Sequence, residues 1–198
     1  MQPEWVTTST ILAGLNDPAD PSAWERLCVR FRTPIVRFAR EIGLSVQDAE
    51  DVAQETLIAF AKAHRDGRYD RSLGRLSHWL FGIARRRALA ARRVRARDAK
   101  VAREPDRPSF WDRVADRDSL SECWERQWER CVLEECLSRV RIEVAPEKMR
   151  AFELVVRAGR KPADVAAELG IPAKSVYNAK YAVLKRMREL RADLEQQL

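Results

Sequence analysis

The residues of this chain best suited to chemistry are its cations. From Arg65 to Arg103 thirteen basic residues face only Asp66, Asp70 and Asp98. Such a stripe is suited to a polyphosphate, because each phosphate contact releases a counterion; a solvated basic helix face is the plainer alternative. Just upstream, Asp48, Asp51 and Glu55 recur at spacings of three and four with Gln54 beside them, one helix face that calls for a basic partner. Asp48 and Glu50 also suit the first turn of their own helix, where carboxylates complement its dipole. A third cluster, Lys174, Ser175, Tyr177, Asn178, Lys180, Tyr181 and Lys185, follows a glycine turn. None of the three is a catalytic constellation.

The usual marks of an enzyme are missing. The sequence has no phosphate-cradling glycine loop, nucleophile elbow or carboxylate pair in an apolar setting. Cys28, Cys123, Cys131 and Cys136 lack CxxC spacing and neighbouring histidines, the only two being His64 and His78. They read as reduced thiols packed as small hydrophobes. No catalytic residue, metal or cofactor is expected.

The elements that must position these clusters are helical. At 198 residues and 45% hydrophobic the chain can build one ordinary domain or two small ones. It carries 37 Lys and Arg against 30 Asp and Glu, a net charge of +7 and a pI near 9.6. It has no long apolar run and no N-terminal signal pattern, so the expectation is a cytoplasmic protein with no membrane insertion. Helical periodicity dominates and no alternating strand pattern occurs, which predicts an all-α fold.

The pattern Ser22-Ala23-Trp24-Glu25 announces a first helix with Trp24, Leu27, Phe31, Ile35 and Phe38 inward; Ser45-Val46-Gln47-Asp48 opens a second with Val52, Leu57, Phe60 and Ala61 on one side. A third runs from about Leu76 with Leu76, Leu80, Ile83, Ala84 and Leu89 at helical spacing. Periodicity is lost between Lys100 and Arg117, where Pro105 and Pro108 fall. The expected organisation is therefore a domain over 1–99, a linker over 100–120 and a second domain over 121–198. In the latter, helices around 121–141 and from Pro146 precede a short helix over 161–168, a turn at Leu169-Gly170-Ile171-Pro172 and a long basic helix from Ala173. That is a helix-turn-helix pattern, with Val165, Leu169, Ile171 and Val176 as core and the start of the last helix offered to a major groove.

Two blocks, in the same order and separated by a linker, resemble the extracytoplasmic-function (ECF, group IV) sigma factors of the sigma-70 family. Asp48-Ala49-Glu50-Asp51-Val52-Ala53-Gln54-Glu55-Thr56-Leu57 with Gly74-Arg75-Leu76-Ser77-His78-Trp79-Leu80-Phe81-Gly82-Ile83-Ala84-Arg85 is similar to sigma region 2. Ala163 to Pro172 with Ser175-Val176-Tyr177 is similar to region 4. The resemblance implies a non-enzymatic subunit that binds bacterial core RNA polymerase and directs initiation at specific promoters. Asp48, Glu50, Asp51, Gln54 and Glu55 would dock on the β′ clamp, and region 4 would meet the β flap.

The loop over Arg65 to Gly74 and the helix after it would recognise and open the −10 element of promoter DNA. Unstacking costs on the order of a few kcal/mol per base, so such a segment needs pockets, stacking and phosphate contacts. Tyr69 offers a π-face, Asp70 and Ser72 hydrogen bonds, and Arg68, Arg71, Arg75, Arg85, Arg86 and Arg87 charge. Trp79 suits core packing and also a wall against DNA. Many relatives have Asn where this chain has Arg86, and an acidic residue where it has Ala90, which favours sequence-independent phosphate contact. Lys174, Ser175, Tyr177, Asn178, Lys180, Tyr181 and Lys185 would meet the −35 element, with Asn178 aimed at a base edge and Lys174 and Lys180 at phosphates.

The resemblance also implies control by an anti-sigma factor or a Ser/Thr kinase, with Thr7-Thr8-Ser9-Thr10 and Thr56 as candidate phosphosites beside their reading as caps. The alternative is a helix-turn-helix regulator that binds duplex DNA without polymerase. It would normally dimerise, and only the stretch near Trp124 and Trp128 offers a surface for that.

Overall fold

A computed structural model describes residues 8–17, 20, 22–100 and 117–196, in which every regular element is helical and no strand occurs. The all-α expectation holds. The helices are α1 (Thr8–Leu15), α2 (Ser22–Glu41), α3 (Val46–Arg65), α4 (Leu76–Lys100), α5 (Arg117–Glu143), α6 (Pro146–Phe152), α7 (Pro162–Leu169) and α8 (Ala173–Gln196). The chain divides into two compact units, Met1–Glu129 and Arg130–Gln196. Pro105, Pro108, Phe110 and Trp111 of the expected linker, and the Thr7 to Thr10 hydroxyls, lie outside the described residues.

In the first unit, apolar stripes on α2, α3 and α4 face one another. Leu27, Phe31, Ile35 and Phe38 of α2, Ala53, Leu57 and Phe60 of α3, and Leu76, Leu80 and Ala84 of α4 are almost wholly buried. Ile11 and Leu12 of α1 add to this core, and the His64 ring nitrogen Nε2 lies 2.9 Å from the Leu12 carbonyl. Two expectations change. Ser22 lies inside α2 and donates to Asp20 at 2.7 Å instead of capping. Trp24 is 38% exposed; it turns from the core to line an open groove of about 310 Å³ with Leu15, Ile58, Ala61 and Arg65.

The larger difference is α5. Its first half belongs to the first unit: Leu120 and Trp124 are fully buried and Cys123 and Trp128 nearly so. Trp124 lies edge-on to Phe38 at 5.8 Å and 5.7 Å from Phe81, and Trp128 stacks on Phe31 at 5.4 Å. Arg126 pairs with Glu41 at 2.7 Å, and Gln127 and Cys123 also bond that carboxylate. Burial, and next the Glu41 charge, push the Cys123 thiol up to about 12; Cys123 is thus an inert packing group. Cys28, Cys123, Cys131 and Cys136 are thiols outside any disulfide. Trp124 and Trp128, at the stretch the sequence offered for dimerisation, are thus spent on the core of the first unit.

The second unit packs Ala151, Leu154, Val165, Ala166, Val176 and Ala179 into a small core, with Leu169 and Ile171 partly buried against it. Pro146 and Pro162 open their helices at positions where a missing N–H is harmless. After α6 the backbone widens into a π turn over Glu153–Arg157. Gly170 closes α7 with φ +63°, a left-handed conformation that favours glycine, and lets the chain reverse into α8 within a few residues. Arg186 of α8 holds Glu143 of α5 at 2.5 and 3.1 Å, and this hydrogen-bonded pair keeps the Glu143 carboxyl below its usual range. Among the described residues no helix is long and apolar enough to cross a membrane.

Candidate protein and nucleic-acid interfaces

α3 carries the acidic candidates, and its structure divides them into two groups. Ser45 caps the helix: its hydroxyl accepts from the Asp48 N–H at 3.1 Å, while the Asp48 carboxylate returns to the Ser45 N–H, a closed capping box. Arg95 of α4 also holds Asp48, at 2.6 and 2.7 Å. The Ser45 bond, followed by Arg95, keeps the Asp48 carboxyl below its usual range. Glu50 pairs with Arg32 at 2.6 Å. These two carboxylates are engaged within the unit, whereas Asp51 and Gln54 point to solvent with no partner among the described residues. Glu55 is exposed and meets Arg87 at 3.2 Å, an ion pair worth about 0–1 kcal/mol.

Asp51, Gln54, Glu55 and the half-exposed Ile58 thus form one continuous strip at helical spacing. Thr56, one position on from that strip, is fully buried. The inward turn of α3 removes it as a phosphosite, a correction to the sequence reading.

Because Asp48 contributes stability through a depressed carboxyl, that contribution is complete above its unfolded pKa near ~4 and is lost as pH falls below it. Ser45→Ala is expected to destabilise the first unit by about 1 kcal/mol and to flatten the acid limb of a pH–stability curve followed by circular dichroism. An acid limb unchanged from wild type would show that the box does not carry it.

α3 and α4 run antiparallel, which puts Arg87 beside Glu55 and Arg95 beside Asp48. The loop between them is pinned. Asp70 accepts from the Ser72 N–H at 2.8 Å and so opens a 3-10 turn over Arg71–Leu73; the Ser72 hydroxyl, and next that backbone bond, hold its carboxyl low. Arg68, Asp70, Arg71, Ser72 and Arg75 are all exposed. Tyr69 is half-buried, packed edge-on to Phe60 at 5.7 Å and to Trp79 at 5.6 Å, and burial pushes its phenol up. Trp79 is half-buried too, so it serves the aromatic packing and borders the surface at once.

Of the arginines after the loop, Arg85 is half-buried, Arg87 is paired, and Arg86 is exposed with no ion pair among the described residues. Arg86, Ala90 and Arg93 follow one another on a single exposed face of α4, on the line of Arg75 and Trp79. The two positions at which the sequence departs from the pattern it resembles, Arg86 and Ala90, therefore share a face and make it more basic. Arg93, not singled out from the sequence, is placed there by helical spacing alone.

In the second unit, Lys174, Ser175, Tyr177, Asn178, Lys180, Tyr181 and Lys185 are all exposed. Tyr177 and Tyr181 are 60% and 65% exposed one turn apart, with Lys174, Asn178 and Lys185 along the same side. None of these lysines has an ion pair among the described residues, in contrast to Arg186. The face is basic, aromatic and unoccupied by intramolecular bonds, a combination suited to phosphates and base edges. Among the described residues no group of acidic, histidine and cysteine side chains could hold a metal.

A comparison with curated proteins gave no match. Residues 27–98, from α2 to near the end of α4, match the family model described as Sigma-70 region 2.

Proposed function

We propose that this chain, whose residues 27–98 match the Sigma-70 region 2 model, is a sigma factor of the sigma-70 family with a role in transcription initiation by RNA polymerase, and that it is of the two-domain extracytoplasmic-function type. The observation that carries this reading is one unit that pairs an outward acidic strip, Asp51, Gln54 and Glu55, with a pinned basic loop and the basic face of α4. The strip would dock on the β′ clamp, with Asp48 and Glu50 in support behind it, since their own partners hold the helix in place.

Arg68, Arg71 and Arg75 of the loop and Arg86 and Arg93 of α4 would bind phosphates around the −10 element, with Arg85 and Arg87 joining as their neighbours shift. Asp70 and Ser72 would shape the loop more than read bases, because each satisfies the other. α7 and α8 would act as the helix-turn-helix of region 4, reading the −35 element with Asn178 and holding its backbone with Lys174, Lys180 and Lys185. The β flap and an anti-sigma factor or kinase belong to the same proposal as partners.

Purified chain and core polymerase, alone and mixed, should separate the readings: only the mixture is expected to start transcripts at discrete sites on a pool of bacterial DNA. A chain that binds duplex DNA as a dimer and ignores polymerase would sink the proposal. On a selected promoter, Lys174→Ala is expected to lower the slope of log affinity against log salt by about 1, and Asn178→Ala to cost about 1–3 kcal/mol at one base position only. Uniform loss across sequences from Asn178→Ala would mean it holds the backbone instead.

A further inference from the structure

We propose that Leu73 is the apolar wedge that separates stacked bases when the −10 region opens. This rests on the reading of the first unit as sigma region 2 and assigns it a residue that neither the sequence motifs nor the family match singles out. Unstacking requires an apolar or aromatic group that can occupy the gap between bases, because guanidinium contacts to phosphate orient a duplex without separating its steps.

Tyr69 and Trp79, the two rings of this region, are half-buried and pack edge-on to each other, and Tyr69 also meets Phe60. Among residues 65–75 the only apolar side chain that projects into solvent is Leu73, 80% exposed.

Its position is built, not incidental to a loose loop. The Leu73 N–H donates to the Asp70 carbonyl at 3.2 Å, the Gly74 N–H to the Arg71 carbonyl at 3.3 Å, and the Asp70 carboxylate accepts from Ser72 at 2.8 Å. Gly74 then leaves the turn with φ +151°, a region that favours glycine. The leucine is thereby held on a short, bonded turn, with the exposed Arg71 and Arg75 two positions before and after it in the chain. An exposed aliphatic tip between two exposed arginines in the chain matches the needs of a wedge: the arginines would hold phosphates, and the tip, with no donor or acceptor of its own, would enter any step without asking for a particular base.

The test uses holoenzyme assembled from the full chain and bacterial core polymerase, on a promoter drawn by the wild type from a random duplex pool. 2-Aminopurine in the −10 element reports unstacking. Leu73→Ala is expected to bind the closed duplex like wild type but to open it about tenfold more slowly, with Leu73→Met recovering most of the rate. On the same promoter carrying a mismatched, already open bubble, the Leu73→Ala defect should vanish. Opening at the wild-type rate by Leu73→Ala, or a defect that persists on the bubble, overturns the wedge. A wild type with no polymerase-dependent signal on either template overturns the sigma reading, and the wedge falls with it.

Discussion

Replacing Trp124 with alanine is expected to cost the first unit about 3–5 kcal/mol, the range for truncating a large buried aromatic. Trp124 has no exposed surface and touches Phe38, Phe81 and Trp128, so its removal leaves a cavity that α2 and α4 can close only by giving up their own packing. Denaturant unfolding followed by far-UV circular dichroism, with hydrogen exchange to resolve the two units, measures it. Trp24→Ala is the control: that ring lines an open groove and is 38% exposed, and its loss should cost about 1 kcal/mol. Equal losses from the two would mean that the start of α5 does not complete this core. By the same argument a fragment ending at Glu129 should melt at a higher temperature than one ending at Asp98, although the family match ends there.

Reversing the outward strip with Asp51→Arg and Glu55→Arg together should weaken binding to core polymerase by about a hundredfold or more, since like charges set against a basic partner cost several kcal/mol. Size-exclusion co-elution and a titration with labelled polymerase would read it. The fold should survive: Asp51 has no partner among the described residues, and Glu55 loses only an exposed pair with Arg87. Asp48→Asn should behave differently, loosening the start of α3 through its cap and Arg95 while leaving docking less affected. A double reversal that co-elutes like wild type would remove the strip from the interface. The Glu55–Arg87 pair adds a consequence: a partner that takes Glu55 releases Arg87 toward DNA, so polymerase and promoter binding should favour each other weakly.

Much of this protein is local, and local features are readable in its sequence. The helix at Val46 follows from Ser45 and Asp48, because a capping box is closed by residues three apart. The reversal before α8 follows from Gly170, and the starts of α6 and α7 from Pro146 and Pro162. The exposed faces of α3 and α8 follow from spacing, since helical periodicity alone decides which residues share a side. The all-α class and the exposure of these faces were legible for these reasons.

What tertiary structure decided is which side chains are already taken. Nothing in the spacing of Asp48 and Glu50 says that Arg95 and Arg32 hold them, or that Arg186 is spent on Glu143, because those partners come from other helices. Thr56 reads as an accessible hydroxyl until α3 turns it into the core, and Tyr69 as a free π-face until Phe60 and Trp79 close on it. The same holds for α5: its apolar residues mark a buried stripe, but periodicity does not name the partner, and packing assigned Trp124 and Trp128 to Phe38, Phe81 and Phe31. A sequence specifies each helix's faces through bonds a few residues long, while the choice of what covers each face depends on contacts between residues far apart in the chain, where shape and charge must be satisfied together.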